Sequence, residues 1–175
     1  MTTSAFGPLV VVGIDPGQVG AYAVLDSEGG CLVDDLPVFH VKSGKSTRSE
    51  LDPVQLANVL GSIASTLDHV FMEKVAARPG QGVTSMFRFG YASGLIHGVV
   101  ASLSVPFSWV TPQVWQRTAR VSSAPDAARQ RACELYPQVA KALTLAKHQH
   151  RADALLIAHW GLTTLANTST TVAAS

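Results

Sequence analysis

The chain has 175 residues, 47% hydrophobic and 14% charged, with a net charge of +1, which suits one domain with a full core. Cys31 and Cys133 form neither a metal-binding spacing nor a disulfide framework. The longest apolar stretch, 94–110, is interrupted by His97, several serines and Pro106, too often to span a bilayer. Residues 1–8 lack the basic start and apolar core of a secretory leader, so a soluble intracellular protein is expected.

In chain order, residues 10–15 (VVVGID) read as a buried strand, 16–20 as a turn and 21–25 as a returning strand. A turn at 27–30 leads to a third strand near 31–39, and the polar stretch 42–50 reads as a flexible loop. Asp52-Pro53 is a helix start, with an N-cap acid and proline at the first helical position. Val54, Leu56, Ala57, Leu60, Ile63, Ala64 and Leu67 continue it as an apolar stripe. A fourth strand covers 69–74, a Gly-rich loop 76–84, a long helix 85–103 and a fifth strand 107–110. A short helix starts at Thr111-Pro112 and another covers 126–135; 147–151 is a polar hinge into a last helix from Ala152 to about Leu165. The fold class is α/β, with the domain at 1–166 and a disordered Thr/Ser/Ala tail at 167–175.

Three acids stand where such a fold gathers its chemistry. Asp15 ends one apolar run, Glu73 ends another, and Asp153 opens an apolar helix with His150 three residues before it. If the strands lie in the order 3-2-1-4-5, the first and fourth are neighbours, their carboxyl ends share an edge, and the last helix can bring Asp153 to it. Converging carboxylates repel, and oxygen donors at that density suit Mg²⁺, with Mn²⁺ as substitute. Residues 1–73 carry three Lys/Arg against nine acids, net −6, whereas 74–151 carry ten against two, net +8. Metal-binding carboxylates beside a strongly basic stretch are what a nuclease requires.

At Gly13-Ile14-Asp15-Pro16-Gly17 with Gly20, Met72-Glu73-Lys74-Val75 and His150-Arg151-Ala152-Asp153-Ala154-Leu155, the chain resembles the RuvC-type Holliday-junction resolvases of the ribonuclease H/integrase superfamily. The resemblance spans roughly residues 9–165 and implies a ribonuclease H-like fold, a five-stranded mixed sheet flanked by helices. It also implies Asp15, Glu73, His150 and Asp153 as catalytic and metal-binding residues, with two Mg²⁺ per active site. The implied protein is a homodimer that resolves four-way DNA junctions by paired symmetric nicks, cytoplasmic and nucleoid-associated.

Two departures stand out. Ala76, Ala77 and Arg78 occupy the place where relatives carry an aromatic wedge, and Trp115 and Asp126 fall near basic positions of relatives. The expected DNA contacts are Lys74, Arg78, Arg88, Arg117, Arg120, Arg129, Lys147 and Arg151. His150 and Asp153, at i and i+3, share a helix face; His148 competes with His150 for the same role. Gly90, Gly94 and Gly98 on the long helix face either the sheet or a second subunit. Three other readings are a phosphotransferase of the actin/hexokinase type, for which the chain is short, a branched-nucleic-acid-binding module that does not cut, and an RNA-processing nuclease.

Overall fold

The computed structural model describes residues 7–16, 20–44, 46–74, 76, 80 and 82–173. Strand β1 (Val10–Asp15) pairs antiparallel with β2 (Ala21–Asp26), which pairs antiparallel with β3 (Cys31–Asp35). On its other side β1 lies parallel to β6 (His69–Glu73), and β6 parallel to β7 (Phe107–Val110). The mixed five-stranded sheet therefore runs β3-β2-β1-β6-β7. The expected order 3-2-1-4-5 is corrected to 3-2-1-6-7, because two further strands intervene; the segments in the last two places are the expected ones.

Those two strands, β4 (Val38–Ser43) and β5 (Ser46–Leu51), pair with each other as a separate hairpin. The sequence pattern predicts a third strand running to 39 and a flexible loop at 42–50. The strand in fact stops at Asp35, and Leu36-Pro37 turns the chain out of the sheet, with the Leu36 amide donating to the Gly20 carbonyl at 2.8 Å. The hairpin turns at Gly44, whose φ of +62° suits a residue without a Cβ.

Helix α1 (Pro53–Gly61) is capped by the Asp52 carboxylate, which accepts from the Val54 and Gln55 amides at 3.0 Å. It ends sooner than the apolar stripe suggests, and a 3-10 turn at Ala64–Thr66 completes the segment. Helices α2 (Val83–Ser102), α3 (Pro112–Ala119) and α4 (Ala127–Leu135) fall close to their expected places. Helix α5 (Gln149–Ala173) is longer at both ends than the expected 152–165. Its polar C-terminal part stays helical with Thr hydroxyls bonded four residues back, Thr164 to the Trp160 carbonyl and Thr168 to that of Thr164.

The sheet divides two cores. Val12, Ile14, Val70 and Met72 point towards α1 and α2, packing with Leu56, Leu60, Ile96 and Val100. Val11 and Phe71 point the other way, onto α5 and the α3–α4 layer beyond it. Gly13 shares that face. A Cβ there would overlap the Ala154 carbonyl oxygen and the Ala158 nitrogen, so α5 lies directly on the β1 backbone. Gly161 does the same under the Phe71 ring. Strand alternation then decides where the acids go: Asp15 follows Gly13 by two, Glu73 follows Phe71 by two, and both turn to the α5 side. Among the described residues no helix is long and apolar enough to cross a membrane.

Candidate active site

Asp15 and Glu73 end adjacent parallel strands, and the start of α5 passes over that edge. The helix begins at Gln149, three residues earlier than expected, so Gln149, His150 and Asp153 all lie in its first turns. His150 Nδ1 meets Asp15 Oδ2 at 2.6 Å, and the Asp15 side chain is buried. Asp153 Oδ1 accepts from Gln149 Nε2 at 3.0 Å. Glu73 Oε1 accepts from the Trp115 indole Nε1 at 3.0 Å.

The electrostatics join the four groups. Burial, then the negative charges of Asp15 and Glu73, push the Asp153 carboxyl up to about 7, against the opposing pull of Gln149 and His150. The hydrogen bond to Asp15 raises the His150 pKa; burial works against it, and the charges of Asp15, Asp153 and Glu73 add to the rise. A proton on His150 thus offsets part of the excess negative charge.

The donor chemistry fits a hard divalent cation: three carboxylates and an imidazole from β1, β6 and α5. As placed, among the described residues no three His, Cys, Asp or Glu side chains form a ready-made cage. The Asp15 carboxylate is engaged by His150 and that of Glu73 by Trp115.

His148 sits apart, on a 3-10 turn (Ala146–His148), where its ring Nδ1 accepts from the Leu145 amide at 3.2 Å. Among the expected DNA contacts, Lys74, Arg88, Arg117, Arg120 and Lys147 are exposed. Arg78 lies outside the described residues, as does Ala77 of the expected wedge segment. Arg129 and Arg151 do structural service. Arg129 pairs with Asp126 at 2.6 Å and donates to the Leu143 and Thr144 carbonyls. Arg151 forks onto Asp35, Nε to Oδ1 at 2.6 Å and Nη2 to Oδ2 at 2.8 Å, and holds that carboxyl below the usual range.

Sequence reasoning gave Trp115 and Gln149 no role at the site. Gln149 precedes Asp153 by four, a helical contact that a correct helix start would have shown. Trp115 is 1% exposed, and a buried indole N–H needs an acceptor, but no spacing links it to a glutamate 42 positions away.

The sheet, with three strands antiparallel and two parallel and helices on both faces, has the same fold as solved RuvC structures. Two solved structures share it at the level of the fold. RuvC of Thermus thermophilus superposes with a TM-score of 0.55 at 18% identity over 91% of this chain and 98% of that one. RuvC of the same organism in complex with a Holliday junction substrate gives 0.57 at 16%, over 91% and 97%. By sequence, no family model matches the chain and no curated protein aligns with it.

Proposed function

We propose that this chain is a metal-dependent endonuclease that resolves four-way DNA junctions by paired symmetric nicks, a cytoplasmic activity associated with the nucleoid. The observation that carries the reading is the coupled set Asp15, Glu73, His150 and Asp153 at one edge of a RuvC-type sheet. Asp15, Glu73 and Asp153 would hold two Mg²⁺, with Mn²⁺ as substitute, and His150 would ligate beside them. Bound there, the ions would activate water and stabilise the charge of phosphodiester hydrolysis.

The protein's own part is positioning and proton handling. A strand end and the Ala154–Ala158 backbone under Gly13 fix Asp15. The Trp115 N–H orients the Glu73 carboxylate, and Gln149 orients that of Asp153. His150 holds a proton against Asp15; once that proton is lost, the ring is a neutral base at the reacting edge. Exposed Lys74, Arg88, Arg117, Arg120 and Lys147, with Arg78, would take the phosphate backbone. Paired nicks call for two equivalent sites, and the exposed face of α2 would bring two copies together.

The test is cleavage of a labelled mobile four-way junction in Mg²⁺ or Mn²⁺, compared with linear duplex, a fork and an RNA–DNA hybrid. Junction-selective paired nicks are expected, abolished by Asp15→Asn, Glu73→Gln or Asp153→Asn. His150→Ala should slow cleavage about 10²-fold or more, the scale of a lost general base, with His148→Ala far milder. Junction binding without cleavage by the wild type would favour a non-cutting module, to which the His150–Asp15 contact is suited. Preferential cutting of RNA would favour RNA processing.

A further inference from the structure

The β4–β5 hairpin is an exposed feature that the site does not use. Its root is fixed. Leu36 is buried among Leu56 and Leu60, Leu51 packs against the same core, and the Asp52 amide donates to the Pro37 carbonyl at 2.8 Å. Beyond the root, His40, Lys42, Thr47, Arg48 and Ser49 are all exposed. Six residues per strand at about 3.3 Å each give an arm of roughly 20 Å. A two-stranded ribbon with little core of its own is marginal in water, so ordering it calls for a partner.

Its place in the fold says where that partner lies. Asp15 pairs with Ala21, and Ala21 with Asp35, so the arm leaves the sheet two strands from Asp15, about 10 Å along the same edge. Arg151, the residue after His150, grips Asp35 at the arm's root.

Its charge says what the partner is. The hairpin holds Lys42, Lys45 and Arg48, all the Lys/Arg of the otherwise acidic first 73 residues; Lys45 lies outside the described residues. Register separates the faces: Val41 opposes Arg48, Lys42 opposes Thr47, and His40 opposes Ser49. Arg48 shares a face with Glu50 and is neutralised by it. The other face carries His40, Lys42, Thr47 and Ser49 and no carboxylate, with His40 and Ser49 hydrogen-bonded at 3.2 Å. Among the described residues Lys42 has no ion-pair partner. Lysine and hydroxyl donors in a row are what phosphate oxygens take up.

We infer that the β4–β5 hairpin is a DNA-contacting arm that lays its His40/Lys42/Thr47/Ser49 face along the phosphate backbone of one duplex arm of the substrate, next to the catalytic edge. This deepens the proposed function and rests on it.

The test is equilibrium binding of a labelled four-way junction in EDTA over a range of salt concentrations, for wild type, Lys42→Ala, Lys42→Glu and Arg48→Ala. Thermal melts confirm that each variant is folded. Wild type should show a steep negative slope of log affinity on log salt. Lys42→Ala should flatten that slope by about one, the signature of one lost phosphate contact. Lys42→Glu should weaken binding about tenfold at moderate salt, and Arg48→Ala should stay within about twofold of wild type, its charge being already offset. If the wild type binds steeply but both Lys42 variants match it, the arm is not a DNA contact, while the nuclease reading stands. If the wild type binds no DNA, arm and nuclease reading fall together.

Discussion

Asp153 is the residue with most at stake in pH. Its carboxyl is raised to about 7 by burial and by Asp15 and Glu73. A group whose folded pKa lies above its unfolded value stabilises the fold below the unfolded value and loses that contribution as pH rises through the folded one. The window for Asp153 therefore runs from about 4 to about 7. His150, also raised, loses its contribution as pH climbs above 6.5, in the same direction. Metal-free protein should thus melt at progressively lower temperature from pH 4 to pH 8. Asp153→Asn should flatten the profile and exceed wild type at pH 8 by on the order of 1–2 kcal/mol, less than the full burial cost because the His150 cation and water relax it. Added Mg²⁺ should restore the wild type at pH 8 and leave the variant unmoved. Melting curves with and without Mg²⁺ decide it; a wild-type profile flat from pH 4 to 8 would contradict the coupling.

Trp115 is the complementary case, a residue whose ring packs and whose N–H points at the site. Trp115→Phe keeps most of the packing and deletes the bond to Glu73. Stability should fall by about 1 kcal/mol for the lost hydrogen bond, plus a packing loss. Cleavage should fall about tenfold and recover in part at high Mn²⁺, since a loosely oriented carboxylate weakens metal binding more than chemistry. If the Mn²⁺ dependence is unchanged while stability drops, Trp115 is a core residue and nothing more.

At the scale of elements, β1 and β2 were readable as apolar runs beside glycine-bearing turns, and β6 and β7 as short runs rich in apolar residues. The parity argument that sends Asp15 and Glu73 to one face follows from two-residue alternation alone. The hairpin was not readable, because both of its faces meet solvent and no apolar alternation marks it. The start of α5 was missed for a similar reason: Gln149, His150 and Arg151 look like a polar hinge, yet they are polar because they serve Asp153, Asp15 and Asp35. Among the expected basic contacts, sequence could not separate exposed Arg117 from Arg129 and Arg151, which hold loops and strands together. Helix α5 also exposes the fold to one small change. Gly13→Ala places a methyl where the Ala154 and Ala158 backbone lies. Backbone cannot repack as a side chain can, so about 3 kcal/mol or more of destabilisation is expected, with cleavage lost alongside as α5 lifts from Asp15. Chemical denaturation reads the first effect. An unchanged midpoint would mean that α5 does not press on β1.

At the scale of the whole molecule, α2 presents a face that the monomer leaves uncovered. Val83, Phe87 and Tyr91 are 86%, 75% and 59% exposed, while Ile96 and Val100 are its buried residues. Gly90, Gly94 and Gly98 continue the face at four-residue spacing, and a Cβ on any of them would meet nothing within 4 Å. The sheet therefore does not require these glycines; a second backbone approaching closely would. A 20-residue helix is about 30 Å long, long enough for two copies crossing on a two-fold axis to approach the roughly 800 Å² per partner of a stable interface. Gly94→Leu separates the possibilities. In an isolated subunit the leucine has open space and should stabilise the helix by up to about 1 kcal/mol. In a dimer built on this face it should force the helices apart. The expected result is a wild-type dimer in sedimentation equilibrium at micromolar concentration and a Gly94→Leu monomer with undiminished helicity. That monomer should nick junctions singly, losing the paired cuts, with its metal dependence intact. A Gly94→Leu variant that remains dimeric would place the interface elsewhere. A wild type that stays monomeric even with junction bound would leave paired cutting without its second site.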